Sequence, residues 1–406
     1  MIKCIRLIYR NLKRQEFLIK ISNRAKKIKE FGVMGLLSRA LALEASGEEV
    51  IRMEVGESDF GLPAPIEKSA IEAIKNGHSG YTEAQGLLPL RENICQFYDD
   101  SFGVSVDPRR VFITTGASGG LLLLTALLLD NDEDLLLSDP GYPCNANYAL
   151  ALNANPVLVP VDERTGFKLT PELLQEYWRS NTRGLLIGSP SNPTGAIYSN
   201  QELKKLSLFI EAHSGFLLVD EVYQGITFDP SDWSTALSVS SEIFIINSFS
   251  KLYGMTGWRL GWVVVPEIAC SDLLKLAQNL FICAPSIAQH AALDVFSDET
   301  QGIVKGQADA LSKRKDFLVQ ALRDIGFRVD APPSGAYYVY AKLPKKSIRS
   351  EEFCRKLLEK EFVSTTPGTD FGKNRSEDFV RFSFTQNLSS LKIAVERIAR
   401  FLEDPD

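Results

Sequence analysis

The chain of 406 residues contains few histidines and few cysteines. Its three histidines, His78, His213 and His290, are far apart and form no H-E-x-x-H pattern. None of the six cysteines has a partner at C-x-x-C spacing, and the chain is too long to be a small disulfide scaffold. The sequence therefore predicts no metal site and favours reduced thiols and a cytoplasmic location.

Long hydrophobic runs and an excess of positive charge are also lacking. The longest apolar run, residues 121–129, is interrupted by Thr125, and spanning a bilayer takes about 18 apolar residues or more. Lys and Arg number 45 against 51 Asp and Glu, which gives a net charge of −6 and disfavours sequence-independent nucleic-acid binding. We expect no integral membrane segment and no nucleic-acid partner.

The first 30 residues differ from the rest in charge, with ten basic and two acidic side chains. The spacing of Ile5, Ile8, Leu12 and Ile19 is compatible with an amphipathic basic helix. Such a helix could be an organelle transit peptide or lie on a membrane surface. A solvated extension, or residues upstream of the true start, is favoured because transit peptides are rich in serine and this segment is not.

After residue 30, short apolar runs alternate with helical patterns, which is typical of a mostly parallel sheet covered by helices on both faces. The predicted strands lie at 111–115, 135–137, 157–159, 184–187, 216–219 and 243–246. From about residue 300 the pattern changes to a second α+β domain. We predict an α/β fold with a large domain at 64–299 and a small domain formed by 31–63 and 300–406, preceded by the basic extension 1–30.

The segment after the first predicted strand reads G-A-S-G-G, residues 116–120, and leads into a helix. Small residues at such a turn leave backbone N–H groups free to bind a phosphate. The same letters match G-x-S-x-G, the nucleophile turn of serine hydrolases, with Ser118 as nucleophile. A hydrolase would also need His213 or His290, and a purely structural glycine-rich turn is the simplest alternative.

Two further strand ends carry charged side chains. Asp220 follows the strand at 216–219, and Lys251 follows the strand at 243–246 with Arg259 eight residues later. Ligands bind at the carboxyl ends of parallel strands, so these groups should meet at one edge of the sheet. An amine, a carboxylate, hydroxyls, an arginine and a helix N-terminus are the set that pyridoxal phosphate requires.

Three motifs carry a resemblance to a known family. Residues 189–195 read S-P-S-N-P-T-G, residues 220–223 read D-E-V-Y, and residues 248–261 read S-F-S-K-L-Y-G-M-T-G-W-R-L-G. In this order and spacing they resemble the class I/II aminotransferases, from about Phe31 to the C-terminus. The resemblance implies fold type I, pyridoxal 5′-phosphate as cofactor, and transfer of an amino group from an amino acid to a 2-oxo acid.

The resemblance also implies how the cofactor is held. Lys251 would bind it covalently and then move the proton between the substrate Cα and the cofactor, and Asp220 would pair with the pyridinium nitrogen. Tyr223 and Asn192 would contact the phenolic oxygen, and Tyr142 would stack on the ring. The phosphate ligands would be Ala117, Ser118, Ser248 and Arg259.

The substrate contacts implied by the resemblance come from other parts of the chain. Arg381 would bind the α-carboxylate, with Asn192 beside it, and Gly56 would let the backbone approach the substrate closely. Tyr81 matches a tyrosine that reaches the phosphate in the neighbouring subunit of the family, which implies a homodimer with shared active sites.

Departures from the family bear on specificity. Ser58 replaces a usual proline, from which we expect little effect. Dicarboxylate-specific members carry a cation either where this chain has Ser118 or within the stretch matching residues 281–289, which has no basic residue. We therefore expect a substrate with a neutral or apolar side chain, although Arg39 is another possible cation.

Three alternatives remain open from the sequence. A C–S β-lyase or a decarboxylase of the same fold would use the same cofactor residues. The serine-hydrolase interpretation rests on Ser118 alone. A non-catalytic amino-acid sensor would have no need of Lys251.

Overall fold

The computed structural model describes residues 20–30, 32–344 and 348–404. Phe31 and the amphipathic helix predicted from Ile5 to Ile19 lie outside the described residues. The helices are α1 Asn23–Lys27, α2 Gly32–Ala45, α3 Ala64–Lys75, α4 Leu88–Phe102, α5 Gly116–Leu128, α6 Pro143–Ala151, α7 Pro171–Tyr177, α8 Asn200–Ala212, α9 Cys270–Leu280, α10 Ser286–Ala291, α11 Asp298–Asp324, α12 Ser350–Glu361 and α13 Leu388–Glu403. The strands are β1 Ile51–Arg52, β2 Val111–Thr114, β3 Asp134–Asp139, β4 Asn155–Pro160, β5 Thr182–Gly188, β6 Phe216–Asp220, β7 Phe244–Ser248, β8 Gly261–Val264, β9 Tyr338–Lys342, β10 Val363–Ser364, β11 Thr366–Pro367 and β12 Phe379–Ser383.

Seven strands form the central sheet in the order β2-β8-β7-β6-β5-β3-β4. Every pairing among β7, β6, β5, β3 and β4 is parallel, whereas β8 is antiparallel to both of its neighbours. The six predicted strands and the mostly parallel α/β fold are confirmed. Strand β8 was not predicted from the sequence. Because β8 runs opposite to its neighbours, its amino end lies at the edge where the parallel strands end.

Alternate residues of the strands pack on opposite faces of this sheet, which is why each strand is apolar throughout. Ile246 and Leu218 belong to one core cluster, together with Leu124 of α5. Their chain neighbours Ile245 and Val219 belong to a larger cluster on the other face. Helices therefore cover both faces, which leaves the strand ends as the expected place for a ligand.

A smaller antiparallel sheet, with the order β11-β12-β9, stands beside the large one. Strand β1, from the N-terminal part of the chain, pairs in parallel with β10. The segment before residue 64 thus shares hydrogen bonds with the C-terminal part, while the domain boundaries at 64 and 300 remain a prediction. No helix within the described ranges is long and apolar enough to span a membrane.

The helices differ in whether a side chain caps their N-terminus, and α5, which begins at the open edge of the sheet, has no such cap. Ser199 caps α8 and receives the reciprocal bond from Glu202, and Ser297 caps α11. At α5 the N-cap residue Thr115 gives no side-chain hydrogen bond to the helix. The first N–H groups of α5 are therefore left for another acceptor.

Candidate active site

The open edge of the central sheet collects the predicted residues from several strand ends. Tyr142 follows β3, Asn192 follows β5, Asp220 ends β6, and Lys251 comes three residues after β7. Arg259 joins them because it precedes the antiparallel strand β8. Topology alone thus brings together groups that are far apart in the sequence.

One cavity of about 990 Å³ lies at this edge and extends to the small sheet. Every predicted cofactor and substrate residue except Tyr81 lines it: Gly56, Ala117, Ser118, Tyr142, Asn192, Asp220, Tyr223, Ser248, Lys251, Arg259 and Arg381. Tyr81 stands outside the cavity and is 83% exposed.

The amine of Lys251 lies in the cavity. Its Nζ donates a hydrogen bond to the carbonyl oxygen of Gly56 at 2.9 Å. Desolvation, followed by repulsion from the Arg381 guanidinium, lowers the pKa of Lys251 to about 8. The neutral, nucleophilic form of the amine is therefore much more populated near neutral pH than in an ordinary lysine.

Asp220 holds its carboxylate at the end of the middle strand β6. The backbone N–H of Val222 donates to its Oδ1 at 3.0 Å. Desolvation raises the pKa of Asp220 to about 6, against the opposing effects of this bond and of the Lys251 charge. The next residue, Glu221, lies in a separate buried network with Thr235 and the backbone of Ala236, so only Asp220 faces the cavity.

The start of α5 and Arg259 form a cradle for an anion. Gly116 has φ +67°, and a Cβ there would lie 2.6 Å from Nη2 of Arg259. The same Nη2 is 3.5 Å from Oγ of Ser118. Ser248 contributes a buried hydroxyl whose oxygen accepts from the N–H of Ser250 at 3.0 Å. Uncapped N–H groups, hydroxyls and a guanidinium together match the needs of a phosphate.

Arg381 reaches the cavity from β12 of the small sheet and is only 3% exposed. Its Nη1 donates to Oδ1 of Asn192 at 2.8 Å, and its Nη2 donates to the carbonyl oxygen of Glu54 and to Oγ1 of Thr366. No carboxylate in the described part of the chain forms an ion pair with it. A buried guanidinium whose hydrogen-bond acceptors are all neutral oxygens retains its affinity for an incoming carboxylate.

Tyr223 lies against the small sheet on the other side of the cavity. Its hydroxyl is 2.9 Å from the hydroxyl of Tyr338, and burial, the first of several causes, raises its pKa well above the usual value. Tyr338 is a site residue that the sequence analysis missed. No motif in the sequence singles it out, and its adjacency to Tyr337 is the one available signal.

The serine-hydrolase interpretation finds no support in this geometry. All three histidines are among the described residues, and none lines the cavity that contains Ser118. His78 and His290 stack on each other with ring centroids 4.0 Å apart, and His213 bonds to the carbonyl of Phe209. Ser118 therefore has no histidine within the cavity to activate it.

Pyridoxal phosphate fits the residues that are present. The poorly solvated amine of Lys251 can bind the aldehyde, the carboxylate of Asp220 can hold the ring nitrogen, and the α5 cradle can hold the phosphate. Tyr142 lines the same cavity as an aromatic wall. These residues thus offer a partner to the aldehyde, the ring nitrogen and the phosphate of the cofactor.

Comparisons with known proteins indicate the family of the chain. The family model for "Aminotransferase class I and II" matches residues 48–398. The (5-formylfuran-3-yl)methyl phosphate transaminase of Methanocaldococcus jannaschii is 34% identical over 385 residues, which cover 94% of this chain and 99% of that protein. The valine–pyruvate aminotransferase of Mycobacterium tuberculosis is 34% identical over 373 residues, covering 92% and 96%. A crystal structure of an aminotransferase from M. tuberculosis superposes with a TM-score of 0.92 at 34% identity, covering 95% and 99%.

Proposed function

The chain belongs to the class I and II aminotransferases, and we propose that Lys251, Asp220 and Arg381 carry its transfer of an amino group between an amino acid and a 2-oxo acid. The activity and the use of pyridoxal 5′-phosphate follow from the family. The observation that carries the assignment of residues is that these three side chains, from three distant parts of the sequence, line one cavity. A C–S lyase or decarboxylase is not favoured, because the relatives are named as aminotransferases.

The cofactor supplies an electron-accepting ring that makes a proton on the substrate Cα acidic. Asp220 keeps the ring nitrogen protonated, because its carboxylate offers a charge-assisted hydrogen bond at a poorly solvated position. Asn192 and Tyr223 hold the phenolic oxygen, and the α5 cradle fixes the phosphate. The chain's own residues thus set the ring's orientation and charge.

Lys251 then acts as the base at the substrate Cα. The amine that would hold the cofactor is the same group that would take up the Cα proton, and its lowered pKa would leave it able to accept that proton near neutral pH. Arg381 fixes the α-carboxylate with two parallel N–H groups, which orients the Cα–H bond. Packing of the small sheet over the cavity reduces the access of water.

We assign the substrate a neutral or apolar side chain. Ser118 supplies no cation, and Arg39 is held by Glu359 through two hydrogen bonds of 2.6 Å outside the cavity. Lys27 and Lys29 line the outer part of the cavity as exposed side chains, while the carboxyl groups of Glu54 and Asp370 line it near Arg381. The names of the relatives do not agree on substrate charge, since one acts on valine and one on a phosphate-bearing aldehyde.

A panel of amino donors tests both the activity and the specificity. We expect the visible absorbance of the cofactor-loaded enzyme to change on addition of alanine, valine or leucine without any 2-oxo acid, and to return on addition of pyruvate. The rate with aspartate should be at least about tenfold lower, because a second carboxylate has no buried cation to pair with.

The contrary outcomes of this panel are distinct. A faster rate with aspartate would contradict the neutral specificity and would direct attention to Lys27 and Lys29. An absorbance band that persists while pyruvate and ammonia accumulate would replace the transferase with a lyase. Absence of any band after cofactor addition would overturn the assignment of Lys251.

We propose that two copies of the chain share their active sites in the cytoplasm. Tyr81 is exposed and forms no hydrogen bond within the described ranges. Its chain neighbours are held by α10, because the Gly80 carbonyl accepts a hydrogen bond from Ser286 and the Thr82 hydroxyl accepts one from Gln289, so the Tyr81 ring is left to face outward. All five described cysteines are unpaired, which supports a reducing compartment.

Mixing two defective variants tests the shared site. Lys251→Ala lacks the amine and Tyr81→Ala lacks the residue proposed to act across the interface. If the site is shared, a hybrid dimer has one fully native site, and an equimolar mixture should recover about a quarter of wild-type turnover at limiting cofactor. Activity of the mixture equal to the mean of the two separate variants would place Tyr81 outside the partner's site.

A further inference from the structure

We propose that Tyr338 is a positioning residue that links the substrate-binding Arg381 to Tyr223 at the cofactor's phenolic oxygen. The inference rests on the proposed function, because it takes the roles of Arg381 and Tyr223 from it. Tyr338 begins β9 in the small sheet, and its side chain is 1% exposed. Its two ends contact different parts of the catalytic machinery.

The hydroxyl end of Tyr338 contacts the large domain. Its oxygen is 2.9 Å from the hydroxyl oxygen of Tyr223. When Tyr223 donates its proton to the phenolic oxygen of the cofactor, its own oxygen is left to accept one, and Tyr338 is the donor within reach. A hydroxyl that accepts a hydrogen bond is a stronger donor, so Tyr338 strengthens the bond that Tyr223 makes.

The ring of Tyr338 supports the arginine. The Cζ atom of Arg381 lies 4.1 Å from the centroid of the Tyr338 ring, and the Phe371 ring lies 4.7 Å from the same atom. These two aromatic faces contact the guanidinium directly, whereas the carboxyl groups of Glu54 and Asp370 act on it from nearby without forming an ion pair. The ring thus fixes the guanidinium without neutralising the charge that the substrate needs.

Gly56 shows that the position of Tyr338 is constrained from the substrate side as well. A Cβ at Gly56 would overlap the Tyr338 hydroxyl. The carbonyl oxygen of Gly56 accepts hydrogen bonds from Lys251 and from the hydroxyl of Tyr337, the latter at 2.6 Å. The absence of a side chain at Gly56 therefore lets Tyr338 reach Tyr223 while the backbone holds the amine.

Two substitutions separate the two ends of Tyr338. Tyr338→Phe keeps the ring and removes the hydroxyl. We expect the pH midpoint of the bound cofactor's visible absorbance to move up by a few tenths of a unit, because a weaker Tyr223 donor leaves the cofactor more basic. The KM for the amino donor should change less than twofold. Tyr338→Leu removes the ring, and the KM should rise about tenfold.

Tyr340→Phe is the matched control. Tyr340 lies two residues along the same strand, is buried, and has a hydroxyl without a hydrogen-bond partner in the described part of the protein. Its variant should keep the wild-type midpoint and KM. A midpoint in Tyr338→Phe equal to that of Tyr340→Phe would overturn the link to Tyr223, and a KM raised as much in Tyr338→Phe as in Tyr338→Leu would overturn the support of Arg381 by the ring. A wild-type protein without a cofactor band would instead refute the proposed function.

Discussion

Replacement of Lys251 by alanine is expected to lower kcat/KM for amine transfer at least about a thousandfold, because one side chain performs two steps. The variant loses the amine that binds the cofactor covalently and the base that handles the Cα proton. In the wild type the Lys251 amine is desolvated and bonded to the Gly56 carbonyl, whereas the other described lysines that line the cavity, Lys27, Lys29 and Lys373, are exposed. The measurement is single turnover with alanine followed by visible absorbance.

The control for this variant is Lys275→Ala. Lys275 is an exposed lysine of α9 paired with Asp272, and such surface pairs contribute little to stability or function.

In wild type, covalent cofactor attachment should accelerate as the pH rises through about 8, because the pKa of Lys251 is lowered to about 8 and only the neutral amine reacts. Wild-type turnover in Lys251→Ala would refute the mechanism.

Replacement of Asp220 by asparagine should have the second-largest effect, a loss of about a hundredfold or more in kcat. The amide has nearly the shape of the carboxylate and can still accept from the N–H of Val222, so the fold should be retained. It lacks the negative charge that keeps the ring nitrogen protonated, and the ring then withdraws electrons poorly. Stopped-flow rates of the first half-reaction measure this loss directly.

The pH dependence of cofactor affinity provides an independent check on Asp220. Its pKa is raised to about 6, so the carboxylate is ionised above that pH and neutral below it. Affinity of the wild type should therefore fall as the pH drops through about 6, and Asp220→Asn should lose this dependence. Asp272→Asn, from the exposed ion pair of α9, should behave like wild type. An unchanged rate in Asp220→Asn would assign the ring nitrogen to another group.

The apolar runs of the sequence predicted the central sheet well because a strand buried on both faces must be apolar throughout. The runs at 111–115, 216–219 and 243–246 correspond to β2, β6 and β7. Strand β8 was not predicted, because its four residues continue directly from the glycine-rich segment after Lys251. The hydrophobic pattern of a strand also does not reveal whether the strand pairs in parallel or antiparallel.

By itself the sequence determined which groups stand at the carboxyl ends of the strands. Lys251, Asp220 and the turn at 116–120 could be predicted as neighbours because parallel strands end at one edge whatever their order. These contacts depend on local patterns and on one rule of topology. Tyr81 is exposed outside the cavity, so its predicted role depends on the proposed dimer.

Only the tertiary structure decided how the small sheet meets this edge. Arg381 and Tyr338 reach the cavity through the register of β12 on β9 and the packing of that sheet against the large one. Neither the register nor the packing is encoded in a local pattern, because the energy that selects them comes from many distant side-chain contacts at once. The stacking of Arg381 on Tyr338, and the reach of Tyr338 to Tyr223, exist only in the folded chain.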